Sequence, residues 1–286
     1  MRNLLRADLY RALKNKLLRI GLIITAALAI FQALVYKFIA IISDIGEEEI
    51  DMFGQVLNGN GIALWNNGAS IGGNTAAFIV PIFVTIFILR EFGDRTVRNK
   101  LIMGYTRSQI YFSSILLHLF LMFVYLFVAS FFGLVFGTIF FAVGGEITFE
   151  FIAMIFVSFV LQFILSYTVL CLGIVLSINV QSPVIGIIIP IALSFVASLI
   201  NTIALLGVSG SFINFWSCFS FYQSSEISLM TNITELVKQT FATDVITFEN
   251  IAIFGNPLLR ILITAPVVIT TEIMVGYVKF KYINFK

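Results

Sequence analysis

The chain has 286 residues, of which 59% are hydrophobic and only 11% charged, with a formal net charge of +2 and a mean hydropathy of +1.03. A soluble domain of this length cannot hide so much apolar surface, so the composition excludes that class and places the chain in a bilayer. The 31 Phe residues do not signal a barrel, because the apolar runs are continuous and lack the alternation of barrel strands; backbone groups in lipid must then be satisfied within helices.

The leader, residues 1–16, sets Leu5, Leu9, Ala12, Leu13 and Leu17 at helical spacing with basic residues on the other faces. That pattern predicts an amphipathic interfacial helix, or equally a basic anchor that only fixes topology. The apolar run after it is too long for a signal peptide and has no clear small-residue cleavage site, so it is expected to stay as the first span. A hydrocarbon core of about 30 Å needs roughly 20 residues per crossing, which leaves room for about six. The runs place these spans near residues 17–42, 75–89, 108–142, 151–178, 183–206 and 258–278.

Between the first two spans, residues 43–74 combine Asp44, Glu47, Glu48, Glu49 and Asp51 with several glycines. A solvated, mobile outer loop is expected, and an attraction for a cationic substrate is the alternative. The charged segment 90–107 separates the second and third spans and carries Arg90, Arg95, Arg98, Lys100 and Arg107. In the third span, Gly133 and Gly137 form a GxxxG pair, which permits close helix approach and makes them candidates for dimer packing. His118 lies in the same span and is expected to pack or to hydrogen-bond between helices. Cys171 in the fourth span reads as a small apolar residue, and Pro190 in the fifth is tolerated as a kink.

Residues 207–257 form a long outer segment. Phe212, Phe215, Trp216, Phe219, Phe221 and Tyr222 suit the headgroup boundary, and Met230, Ile233, Val237 and Phe241 recur at the spacing of a short amphipathic helix. That helix either lids a translocation path or caps the bundle. Gly207-Val208-Ser209-Gly210 matches the GxSG pattern of rhomboid-type intramembrane proteases. In that family the histidine follows the serine, and here His118 precedes it, so a turn after a helix is favoured. In the last span Glu272 is the ionisable residue toward the inner end, while Arg260 and Lys37 lie near outer ends where they can snorkel.

All of the 17 Lys and Arg residues except Lys37, Lys238 and Arg260 fall in residues 2–19, the 90–107 segment and the C-terminus. With six spans these clusters share one side, so both termini and the 90–107 segment are expected in the cytosol. No metal-ligand spacing and no nucleotide fingerprint occurs in the chain. No nucleic-acid partner is expected.

The order of these features resembles the membrane subunit of ABC-2 type exporters. The residues that carry the resemblance are IFILREFGDRTVRNKLIMGYTRSQIYFSSIL, Ile86 to Leu116, similar to that family's acidic and small residues, Thr, basic residues and Arg-containing turn. The chain differs in having Asp94-Arg95 ahead of Thr96 where the family pattern has glycine. The resemblance implies an all-α, six-span transmembrane domain over residues 1–286, with an N-terminal interfacial helix, a cytosolic coupling helix and an outer helical excursion before the last span. It also implies that Glu91, Asp94, Arg95, Thr96, Val97, Arg98, Leu101 and Ile102 dock on a separate ATPase subunit. ATP and Mg would be held by that partner, with no cofactor on this chain.

The expected function is therefore a non-enzymatic permease in a cell membrane, bacterial by the same resemblance, paired with a like or related permease in a homo- or heterodimer. Aromatic and aliphatic walls with little fixed charge point to an amphipathic or lipophilic cargo such as a membrane-active peptide, a lantibiotic or a drug. An ion-coupled secondary transporter or channel that needs no ATPase is the alternative, and an intramembrane protease ranks third.

Overall fold

In a computed structural model of the chain, the described residues are 2–45, 61, 64–65, 82–90, 96–141, 149–182, 184–189, 191–192 and 257–282. Among them the regular structure is helical, with no strand. The helices with defined bounds are α1 (Arg2–Lys14), α2 (Lys16–Ile45), α3 (Thr96–Ile102), α4 (Arg107–Phe140), α5 (Phe149–Val180) and α6 (Pro257–Lys281). Residues 82–90 and 184–189 are also helical and, apart from Arg90, fall within the second and fifth expected spans. The outer segment 207–256 and most of the first outer loop lie outside the described residues.

Among the described residues, three helices are long and apolar enough to cross a membrane: Lys16–Phe38, Arg107–Phe140 and Ile155–Val180. Local sequence sets their starts. Asn15 interrupts the leader and accepts the Leu17 N–H on Oδ1 at 2.8 Å, capping α2. Thr106 opens α4 with a reciprocal capping box: Gln109 N–H donates to Thr106 Oγ1 at 3.3 Å, and Thr106 N–H donates to Gln109 Oε1 at 3.1 Å. Two otherwise unsatisfied donors are paired in this way.

Helix α4 is the centre of the bundle and packs on all five of the others. Its 34 residues span about 51 Å, well beyond a hydrocarbon core of about 30 Å. Along it, α1 and α2 advance in the same direction as α4. Ser113 meets Asp8, Tyr125 donates to Leu18 O at 2.6 Å, and Lys37 lies over the Phe141 ring.

Helix α5 returns antiparallel to α4 through an aromatic ladder. Phe123 and Phe127 meet Phe159 edge-on, and Trp65 joins them while donating its indole N–H to Ile155 O at 2.9 Å. Helix α6 runs beside α5 and ends against the start of α4, where Arg107 donates to Lys281 O at 2.7 Å. Gly276 makes this contact possible, since a Cβ there would run into Val175 and the Tyr111 hydroxyl. The start of α1, all of α3, the start of α4 and the end of α6 thus share one end of the bundle.

Candidate functional site

The sequence singles out the segment before α4, and the structure ties that segment to the leader through a buried charge cluster. Asp8 is 1% exposed and Lys100 3%. The Lys100 ammonium lies 3.0 Å from each oxygen of the Asp8 carboxylate. Ser113, on the second turn of α4, donates to Asp8 Oδ2 at 3.1 Å, and Arg11 pairs with Asp8 from the next turn of α1. Three helices therefore meet on one carboxylate. An ion pair taken out of water is tolerable only when its remaining lone pairs are satisfied, and here additional donors do so. Around it, Leu4 of α1, Val97 of α3 and Ile110 of α4 form a small apolar cluster, edged by Leu101 and Tyr105.

The link from α3 to α4 is held by two caps back to back. Gly104 has φ +88°, a conformation that strains residues with a Cβ. The Gly104 N–H donates to Leu101 O at 3.0 Å and the Tyr105 N–H to Lys100 O at 3.2 Å, which is the Schellman pattern of helix termination. Tyr105 packs on the α3 cluster, and Thr106 starts the α4 capping box at the next residue. This turn has its backbone donors spent and presents Ile102 and Met103 outward, at 74% and 68% exposure.

The residues expected to couple to a partner separate into two faces. Arg98 and Ile102 are exposed, Thr96 and Leu101 are half-buried, and Val97 is buried against Leu4 and Ile110. Val97 therefore anchors α3 to the bundle, while Met103 takes its place on the outward apolar edge. Glu91, Asp94 and Arg95 lie outside the described residues. Lys100, which the sequence marks only as a topological charge, is the internal anchor.

Asp8 is the other residue that the charge pattern does not single out. Its signal is present, for it is the acid in an otherwise basic leader and stands between Leu4 and Ala12 at the four-residue spacing of one helix face. In the structure the buried stripe of α1 is Leu4, Asp8 and Ala12, whereas Leu13, expected on the apolar face, is 65% exposed. The bonds to Asp8 turn the helix so that this carboxylate faces inward. Leu5 and Leu9 pack at the edge of the main core.

Gly133 and Gly137 do lie at a close approach, and the described contact is with the chain itself. A Cβ on Gly133 would stand 2.6 Å from Leu64 O, and one on Gly137 would stand 2.9 Å from the Gly61 Cα. His118 is buried between α4 and α5, with Nδ1 3.4 Å from the Tyr167 hydroxyl. Ser209 lies outside the described residues.

At the α1–α3–α4 junction, α3 is bound laterally to α1 through Asp8 and Lys100 and covalently to α4 by the capped turn at Gly104. Compared with protein-family models, curated proteins and solved structures, the chain matches none.

Proposed function

We propose that this chain is the permease subunit of an ATP-binding-cassette exporter of the ABC-2 type, with six spans, both termini in the cytosol of a bacterial cell and a second permease beside it. The observation that carries this reading is the anchoring of α3: Lys100 is bonded to Asp8 inside the bundle, while Ile102 and Met103 stand outside it. A short helix fixed on one face, with Arg98, Asn99 and Ile102 on the other and Met103 just past its end, suits a docking lever. An ATPase that binds ATP and Mg would grip the outward edge. Because Asp8 joins α1 to α3 and the capped turn joins α3 to α4, a displacement of α3 moves all three helices together. The chain thereby converts a partner's two states into two packings of its own helices. An amphipathic or lipophilic cargo suits the apolar walls.

Copurification tests the reading. The intact chain is expected to bring down an ATP-binding subunit, and cysteines placed at Ile102 or Met103 are expected to crosslink to it. If no such subunit associates, and changes at both positions leave transport untouched, the reading is wrong. Transport by the purified chain alone in liposomes, driven by an ion gradient and indifferent to ATP, would instead establish a secondary carrier.

A further inference from the structure

A cavity of about 290 Å³ opens between α5 and α6, close to the small end of small-molecule sites, about 300 Å³. Leu172, Val175, Leu176 and Val275 give it apolar walls. The oxygens that line it are acceptors whose own protons, where they have any, are already used. Thr271 donates its hydroxyl to Val268 O at 2.8 Å. Asn179 donates Nδ2 to Val175 O at 2.8 Å, and its Oδ1 is buried with no hydrogen-bond partner. Glu272 lies beside Cys171 on the facing helix, and its Oε2 is likewise buried with no partner. A carboxylate oxygen held among aliphatic side chains without a donor is costly, and an ionisable residue in such surroundings marks a functional position.

We infer that this cavity binds a lipophilic monoamine, its ammonium group donating to Glu272 and its apolar body lying along Leu172, Val175, Leu176 and Val275. Asn179 Oδ1 takes a second donor, such as a hydroxyl, nearer the helix end. Lys279 also lines the cavity, two helical turns from Glu272 or about 10 Å along α6. Its charge disfavours a second ammonium group there, so the site selects monocations. Access is lateral: Met274, Val275 and Val278 are 58%, 72% and 60% exposed, so an amine dissolved among lipid chains reaches the site along the apolar surface of α6. The site lies within one chain, and binding is expected whether or not an ATPase partner exists.

The test uses the full chain in lipid nanodiscs, with radiolabelled octylamine as the probe and protein-free nanodiscs to subtract partitioning. Saturable binding is expected that excess octanol, of the same length without the charge, does not displace. Glu272→Gln, with thermal unfolding near that of the natural chain, is expected to weaken binding on the order of tenfold to a hundredfold, the equivalent of one charge-assisted hydrogen bond. Val275→Trp, which fills the groove and keeps the carboxylate, is expected to weaken it comparably. Absence of saturable binding, equal displacement by octanol, or full-strength binding by Glu272→Gln would each overturn the inference. The octanol competition needs no variant, so it decides the matter even where a substitution prevents folding. Copurification of an ATPase reads the transport proposal separately.

Discussion

The Lys100 ammonium sits 3.0 Å from both carboxylate oxygens of Asp8, although the two residues lie on different helices and are 92 positions apart in the chain. Both are almost wholly buried, so neither can recover its hydration if the other is lost. This pair makes α3 part of the bundle in place of a loop that only carries charge.

Removing one partner therefore costs more than the pair contributes. Asp8→Asn is expected to destabilise the protein by about 3–5 kcal/mol, because it removes the buried carboxylate on which Lys100, Arg11 and Ser113 converge, and Lys100→Met is expected to cost less, since Arg11 still pairs with Asp8. The double variant Asp8→Asn with Lys100→Met is expected to lose much less than the sum. A double-mutant cycle read by denaturant unfolding in detergent micelles checks this, and additive losses would contradict it.

Gly104 is surrounded by open space, with no atom within 4 Å of where a Cβ would stand, and its φ is +88°. The cost of Gly104→Ala is then conformational, about 1–2 kcal/mol, and Gly104→Asn is expected to cost less because Asn tolerates the left-handed region. Unfolding midpoints of the two variants measure the order. If Ala proves as stable as Gly, the turn does not brace α3.

On the outward edge, Ile102→Glu combined with Met103→Glu is expected to change stability by no more than about 0.5 kcal/mol, since both side chains are exposed. The same double variant is expected to abolish copurification of the ATPase. Measuring both on one preparation separates a docking edge from a structural one, and retained copurification would assign the edge no such role.

Gly133→Ala and Gly137→Ala place a methyl group against the Leu64 backbone and against Gly61 and Leu64 respectively. Overpacking of this kind costs about 1–3 kcal/mol, and it is expected to act within a single chain. Sedimentation of the variants should therefore show the oligomeric state of the natural protein alongside a lowered unfolding midpoint. A dissociated dimer with unchanged stability would place these glycines at a subunit interface instead.

The sequence by itself determined the membrane class and the extents of several helices. Expected helical runs at 17–42, 108–142, 151–178 and 258–278 correspond to α2 from Lys16 to Ile45, α4 from Arg107 to Phe140, α5 from Phe149 to Val180 and α6 from Pro257 to Lys281, and among the described residues the first three of these hold stretches long and apolar enough to cross a membrane. These properties are local: an apolar run must be long enough to cross lipid, and Asn15, Thr106 and Gly104 satisfy or terminate helix ends with atoms a few residues away. The burial of His118 was also legible, since a histidine in an apolar helix needs a polar neighbour such as Tyr167.

Only the tertiary structure decided which face of α1 turns inward, that Val97 and Lys100 anchor α3 while Met103 faces out, that Gly133 and Gly137 receive Gly61 and Leu64, and that Glu272 borders a cavity. Each depends on what stands opposite. Leu13 and Leu4 have equal hydrophobicity, and a basic residue near a membrane fixes topology whether it is solvated or buried. The choice is made by a partner such as Asp8, brought close by chain folding and recognised through the cost of leaving a buried charge alone.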